Sequence, residues 1–464
     1  MASISSLGIG SGLDLNGLLD QLNEAERGKL QPIEQQIKTQ QVKISAYGEL
    51  KGALSAFQTA ANALNDASLY RSLSTSVTGN SVQAAAGRDA AMGQYSIEVE
   101  RLATAGSLAS ARLEVELDQV LTDSDQTLTL HFANATGEAP QAIEIDIAAG
   151  STLEEIRNAI NAHPEAGVTA SIVNDGSGYR LALMSSETGE AASITDMSFS
   201  DGFFADGIAF SEAEGAGAIA QAGENALLNV NGIPIVSASN QVEGAIQGVT
   251  LSLTEEGSST VKVEQNTRAV REAITGFVEA FNALKETIGE LTAFSGDSGT
   301  AGDLLGDSTV RSIEGRLRSV LTGGVAAEEG GFAMLGDIGI SLKLDGTLEI
   351  DEQRLDEVIL NEQDALSAFF AGDSATGGLA GQLSETITQL SGNSGALGGA
   401  ISGAESRIVS LNERHVRMEQ SIDATIARYR TQFGQLDSMI AQMNQTSDYL
   451  FQQFEIMNAQ LGRK

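Results

Sequence analysis

The chain contains no cysteine and no tryptophan, and its 464 residues include only four prolines and three histidines. Without cysteine there is no disulfide, no thiolate metal ligand and no thiol nucleophile. That absence does not fix the compartment, because exported proteins can also do without disulfides. His131, His163 and His415 are far apart in sequence, so no histidine-based metal motif is spelled out. Aromatics make up 5% of the chain, which predicts aliphatic cores. Basic residues are outnumbered 27 to 62, for a net charge of −35. Nucleic acid is repelled by such a chain, since phosphate binding needs a basic footprint. No run of roughly 18 apolar residues occurs, so no membrane insertion is expected. The N-terminal stretch MASISSLGIGSGLD lacks the basic and long apolar regions of a Sec-type signal peptide. If the protein leaves the cell, another route is expected.

What is present is unevenly distributed. Residues 1–77 hold 6 basic and 7 acidic residues, and residues 401–464 hold 7 of each. The stretch between them therefore holds 14 basic and 48 acidic residues, a net −34. Neutral ends can pack closely on other chains, whereas an acidic middle stays solvated. A chain of this length usually splits into several cores, and three or four units are expected.

Residues 1–12 are rich in serine and glycine and read as a flexible entry. From Leu15 the apolar spacing is helical: Leu15, Leu18, Leu19, Leu22. Pro32 either interrupts that helix or opens a new one in its first turn. Ile33, Ile37, Ile44, Tyr47, Leu50, Leu54 and Phe57 continue a single stripe. From about Ser76 short alternating runs take over, as in Tyr95–Val99, Leu128–Phe132, Ile143–Ile147, Val168–Val173, Tyr179–Met184, Leu227–Val236 and Val249–Leu253. One helix interrupts them around Leu153, Ile156 and Ile160, with Ser151 and Glu154 as its expected capping pair. A Gly/Ala-rich stretch near 211–223 reads as a loop. Helical spacing returns from Val270 to Leu291 and again around Val310–Leu321. Ile340, Leu342 and Leu344 read as one hairpin arm against Leu348 and Ile350, turning at Asp345-Gly346. Short helices follow at about 352–371 and 378–391.

The strongest pattern is the last. Ile408, Leu411, His415, Met418 and Ile422 step by three and four, and Ile426, Tyr429, Phe433, Leu436, Ile440, Met443, Leu450 and Phe454 carry the stripe on. Two successive fours at Ile422 make a stutter, which locally unwinds a left-handed coil. Gly434 and Ser447 interrupt the stripe. A helix over about 400–461 spans roughly 90 Å and cannot hide its stripe in a small domain. Its partner is the N-terminal helix of the same chain, another chain, or both; periodicity does not separate these.

No catalytic, cofactor or metal site is expected. Gly8-Ile9-Gly10-Ser11-Gly12 has no strand before it and lacks the spacing of a nucleotide loop. Gly296-Asp297-Ser298-Gly299 matches the surroundings of a serine nucleophile but has no histidine base in a recognisable motif. The acids near Asp123 and Asp125 lack the glycine and terminal glutamate of a calcium loop.

These residues, in this order, resemble the flagellar hook-associated protein 2 family, which caps bacterial flagellar filaments. Ser11-Gly12-Leu13-Asp14 before a leucine-rich helix is similar to that family's N-terminal signature. Tyr95–Ala103 resembles its first head strand. The segments Thr152–Asn161, Val168–Ala170 and Tyr179–Leu181 resemble a repeat shared with flagellin. Gly248–Leu253, Phe277–Asn282, Ile338–Ile340, Gly346–Asp351 and Leu436–Phe454 follow in family order, although Gln265-Asn266-Thr267 departs a little from the usual helix entry.

The resemblance implies an α+β multidomain fold with long terminal coiled-coil helices. Residues 1–40 and 406–464 would form a helical leg, and 41–77 and 267–405 a mainly helical domain with a hairpin near 338–351. Residues 78–117 and 225–266 would form a β-rich head, with a second head, 118–224, inserted in it. The implied partners are a second copy of the chain in a ring of five or six subunits, flagellin, the neighbouring hook-associated junction protein and an export chaperone. The implied location is the flagellar tip, reached through the flagellar export apparatus. The contact stripe is expected along Leu15, Leu18, Leu22 and the residues from Ile422 to Phe454. The alternative is a flagellum-borne adhesin whose heads bind host mucin.

Overall fold

The computed structural model describes residues 11–113, 116–133, 141–174, 176, 178–200, 219–295, 300–326 and 331–462. The Gly8–Gly10 stretch, the Gly296–Gly299 tetrapeptide and most of the 211–223 stretch lie outside them. The chain forms two compact units, Met1–Leu69 with Arg268–Lys464, and Tyr70–Thr267.

The first unit opens with α1 (Leu15–Arg27) and α2 (Gln31–Leu64). Pro32 sits in the first turn of α2, so it starts a helix rather than interrupting one; its missing N–H has no intrahelical partner to lose there. A single turn, α3 (Ala67–Tyr70), follows.

The second unit is built from two sandwiches. Strands β1 (Leu73–Thr78), β2 (Val82–Ala86), β3 (Gly93–Arg101) and β4 (Ala105–Ala109) come first. Then follow β5 (Gln126–Phe132), β6 (Gln141–Ile147), α4 (Leu153–Ala162), β7 (Val168–Asn174), β8 (Tyr179–Thr188), β9 (Ile194–Phe199) and β10 (Ile219–Gln221). The unit closes with β11 (Ala226–Val230), β12 (Ile233–Ser237), β13 (Gln241–Ile246), β14 (Val249–Leu253) and β15 (Gly257–Gln265). The sheets β1-β15-β3-β11-β12 and β13-β14-β2 enclose Ile97, Leu228, Leu251 and Val261. The sheets β10-β4-β8-β7 and β6-β5-β9, with α4, enclose Leu128, Leu130, Ile156 and Leu183. Strand β4 lies before the expected boundary at 117/118, yet it pairs with β8 and β10 and so belongs to the inserted core.

Two local readings change in this unit. The helix α4 is capped one residue later than expected: Glu155 N donates to Thr152 Oγ1 at 3.3 Å and Thr152 N to Glu155 Oε2 at 2.8 Å. Ser151 instead turns its hydroxyl to the Ala148 carbonyl. Leu227–Val236 is not one strand but the β11–β12 hairpin. Asn231 and Gly232 sit at its turn with φ of 50° and 86°, and this pair of positive values makes the tight turn that matches strand twist.

The chain then returns to the first unit through α5 (Thr267–Thr292), β16 (Phe294–Ser295), β17 (Thr300–Ala301), α6 (Ser308–Gly323) and a short 3₁₀ turn at Leu335–Ile338. The hairpin β18 (Ile340–Leu342) and β19 (Leu348–Ile350) follows. Leu344 is not in its ladder: Lys343 N donates to Thr347 O, Gly346 N to Lys343 O, and Leu344 stands fully exposed at the tip. Helices α7 (Glu352–Asn361), α8 (Gln363–Phe370), α9 (Leu379–Ser391) and α10 (Ala396–Leu461) complete the unit.

The expectation of purely aliphatic cores fails in this unit. Phe57 packs 5.2 Å from Phe277 and 5.4 Å from Phe281, centroid to centroid, and Phe370 packs against Phe277 and Phe369. A low average content hides this concentration at one place. The expected leg boundaries at 40/41 and 405/406 fall inside α2 and α10, which run through them unbroken. Gly434 does not interrupt α10 either; one interior glycine costs about 1 kcal/mol relative to alanine.

Candidate assembly surface on the terminal helices

The length mismatch between the helices defines the site. Helix α10 has 66 residues, α2 has 34 and α1 has 13. At about 1.5 Å per residue these are roughly 100, 50 and 20 Å long, so α1 and α2 together leave part of α10 uncovered. Both pack on α10.

Helix α1 begins at a turn. Asp14 caps it by accepting from Gly17 N at 2.9 Å, and Gly12 takes a φ of 72°. Ser11 N donates to Asp437 Oδ1 at 2.8 Å and pins the start of α1 to α10. Three members of the Ser11–Asp14 signature therefore set the geometry of the helix entry, while the Leu13 side chain is exposed.

The expected stripe divides at this point. Leu15 and Leu19 are buried, Leu22 is half-buried and Leu18 points outward. On α10, Ile422 is 2% exposed. Ile426, Tyr429, Phe433 and Ile440 are half-buried, with the rings of Tyr429 and Phe433 stacked. Leu436, Met443, Leu450 and Phe454 are bare, at 42%, 64%, 49% and 55% exposure. Sequence periodicity missed Met439, Tyr449, Phe451 and Ile456, which are exposed as well and lie off the stripe. The available signal was density rather than period: from Ser438 to Leu461 the only charged residues are Asp448 and Glu455. The distal helix thus offers apolar contact on more than one side.

Two polar pairs tie α2 to its neighbours. His415 on the stripe reaches Glu34 Oε1 of α2 at 3.3 Å and Glu419 Oε2 at 3.6 Å. Tyr47 of α2 donates to Asp307 Oδ2 at 2.6 Å, and Asp307 caps α6 by accepting from Thr309 N at 2.8 Å. Burial, reinforced by the neighbouring carboxylate, pushes the Tyr47 phenol up to about 12. Burial alone would raise Asp307, but the hydrogen bonds from Tyr47 and Thr309 outweigh it and hold the carboxyl below its ordinary range. Among the described residues no three His, Asp or Glu side chains are grouped to hold a metal. No described helix is long and apolar enough to cross a membrane.

This long helix has its proximal stripe covered and apolar side chains bare on its distal part. Family models place the chain. "Flagellar hook-associated protein 2 N-terminus" matches residues 11–106, "Flagellar hook-associated protein 2 C-terminus" matches 223–445, and "Flagellin hook IN motif" matches 127–187. The chain belongs to the flagellar hook-associated protein 2 family. It is 35% identical to flagellar hook-associated protein 2 of Escherichia coli (strain K12), over 98% of this chain and 99% of that one. It is 34% identical to the Salmonella typhimurium protein, over 99% and 100%. The solved D1-D2-D3 domains of the flagellar cap protein FliD from Escherichia coli superpose with a TM-score of 0.62 at 32% identity, covering 78% of this chain and 99% of that one.

Proposed function

We propose that this chain is the structural cap at the distal tip of the bacterial flagellar filament, where it retains exported flagellin and promotes its polymerisation. The observation that carries this reading is the distal part of α10, where Leu436, Met443, Leu450 and Phe454 are exposed. In a ring of five or six copies the acidic heads form the plate and the bare helix ends grip the filament. Grip must be reversible, so that each added flagellin can shift the cap. A slender apolar surface with few charges suits modest affinity better than a deep interface does.

The chain reaches the tip through the flagellar export apparatus, with an export chaperone, and meets the hook-associated junction protein before filament growth. Four prolines in 464 residues leave few slow isomerisation steps for refolding after export. The adhesin alternative would need a basic patch to meet acidic glycans, and the middle of the chain carries 48 acidic residues against 14 basic.

Deletion of residues 436–464 tests the reading. The heads should stay folded, and cells should shed unpolymerised flagellin. Filaments of normal length from that variant would overturn it.

A further inference from the structure

The chain contains two Asn-Gly pairs, Asn16-Gly17 and Asn231-Gly232. Such a pair is prone to an internal reaction, because glycine has no side chain to keep its backbone nitrogen away from the neighbouring amide carbon. In α1 that nitrogen is occupied: Gly17 N donates to Asp14 Oδ1 at 2.9 Å. In the β11–β12 turn the asparagine is held instead.

Asn231 stands one step beyond the last β3–β11 pair, Ile97 with Val230. Its backbone N donates to Ser96 O at 2.9 Å, and its side-chain Oδ1 accepts from Ser96 N at 2.8 Å. In a continued antiparallel ladder the second bond would go to a backbone carbonyl. Here the chain turns at Asn231, with a φ of 50°, and the side chain supplies the acceptor. Both turn residues are exposed, and nothing lies within 4 Å of the place a Gly232 Cβ would take. Water and hydroxide therefore reach the turn, and conformation alone guards it.

We propose that Asn231 is a deamidation site that the folded hairpin keeps closed and the unfolded chain opens. Hydroxide takes the proton of Gly232 N, and the nitrogen attacks Asn231 Cγ. The N–Cγ bond forms, the Cγ–Nδ2 bond breaks, and ammonia leaves after taking a proton from water. Water then opens the cyclic imide. Opening at Cγ gives aspartate. Opening at the backbone carbonyl carbon gives isoaspartate, in which the chain runs through Cβ and Cγ. No atom changes oxidation state, and water is the only co-reactant. Ring closure needs Gly232 N swung against Cγ. The two Ser96 bonds fix both the backbone and the side chain of Asn231, so local opening must come first.

The two products differ in consequence. Aspartate keeps an oxygen for Ser96 N, and Asp-Gly suits this turn as Asn-Gly does. Isoaspartate adds a backbone carbon between Val230 and Ile233, whose pairing depends on a two-residue turn. The hairpin tolerates the first product and is broken by the second. The inference does not depend on the proposed function.

The test incubates the full-length chain at mildly alkaline pH, folded and in urea. Conversion at Asn231 and Asn16 is followed by peptide mass and an isoaspartate assay. Both pairs should convert in urea, and Asn231 should convert roughly tenfold or more slowly in the folded chain, since opening limits it there. Equal rates at Asn231 in the two states overturn the proposal. Asn231→Asp should fold and keep the parent's amide exchange at Ser96. The chain carrying isoaspartate at this position, separated after urea treatment and refolded, should exchange faster along β11 and β12. Parent-like exchange in the isoaspartate form overturns the stated consequence, and fast exchange in Asn231→Asp overturns the distinction between the products.

Discussion

Asn282 on α5 offers its side-chain amide to both backbone groups of Leu348 on β19: Nδ2 donates to the Leu348 carbonyl at 2.9 Å, and Leu348 N donates to Oδ1 at 2.8 Å. One side chain thus acts as a short strand and docks the hairpin on the helix. Asn282→Ala leaves both Leu348 groups without this partner. It should cost about 1–3 kcal/mol, read as a lower urea midpoint with an unchanged slope.

The Tyr47–Asp307 bond should give stability a pH dependence at both extremes. The Asp307 carboxyl is held below its ordinary range, so its contribution is present above the unfolded value near 3.8 and is lost as pH falls through the lower folded value. The Tyr47 phenol is raised from 10.0 to about 12, so its contribution is present below 10 and is lost as pH rises toward 12. Tyr47→Phe should lower stability at neutral pH by about 1.5–3 kcal/mol, the range for a hydrogen bond to a charged group, and flatten the loss between pH 10 and 12. Unfolding curves across pH measure both effects.

Covered and bare parts of the α10 stripe should respond differently to truncation. Ile422 is buried, and Ile422→Ala should cost about 2–4 kcal/mol. Leu450 and Phe454 are bare, so their alanine variants should melt within experimental error of the parent and yet shorten filaments. Calorimetry and filament length on the same variants separate the two roles.

Gly189 lies at the junction of the two head sandwiches. Its φ is 99°, and a Cβ there would come 2.8 Å from the Ala238 carbonyl oxygen. Gly189 N donates to Thr104 O at 3.0 Å, and Thr188 Oγ1 donates to the same Ala238 carbonyl at 2.7 Å. Gly189→Ala should cost about 1–3 kcal/mol of backbone strain. It should speed amide exchange at Gly189 and Glu190, where the sandwiches touch.

The sequence by itself determined the helices, because a period of three and four is a local signal that each stretch carries alone. It also marked the strands Leu128–Phe132 and Ile143–Ile147, and the family order of the motifs. The Asn231-Gly232 pair is a turn signal, but the apolar residues on both sides of it read as one strand, Leu227–Val236. Strand partners were not legible: β4 finds β8 some 75 residues away, and nothing in Ala105–Ala109 names that partner. Phenylalanines far apart in sequence meet in one core for the same reason.

The division of the terminal stripe was also decided in three dimensions. From Leu411 to Phe454 the spacing hardly changes, and it gives no sign of where cover ends. Among the described residues the start of α1 meets α10 at the Ser11–Asp437 bond, and α1 is 13 residues long where α10 is 66. Burial depends on the length and placement of the partner helix, which no periodicity in α10 records.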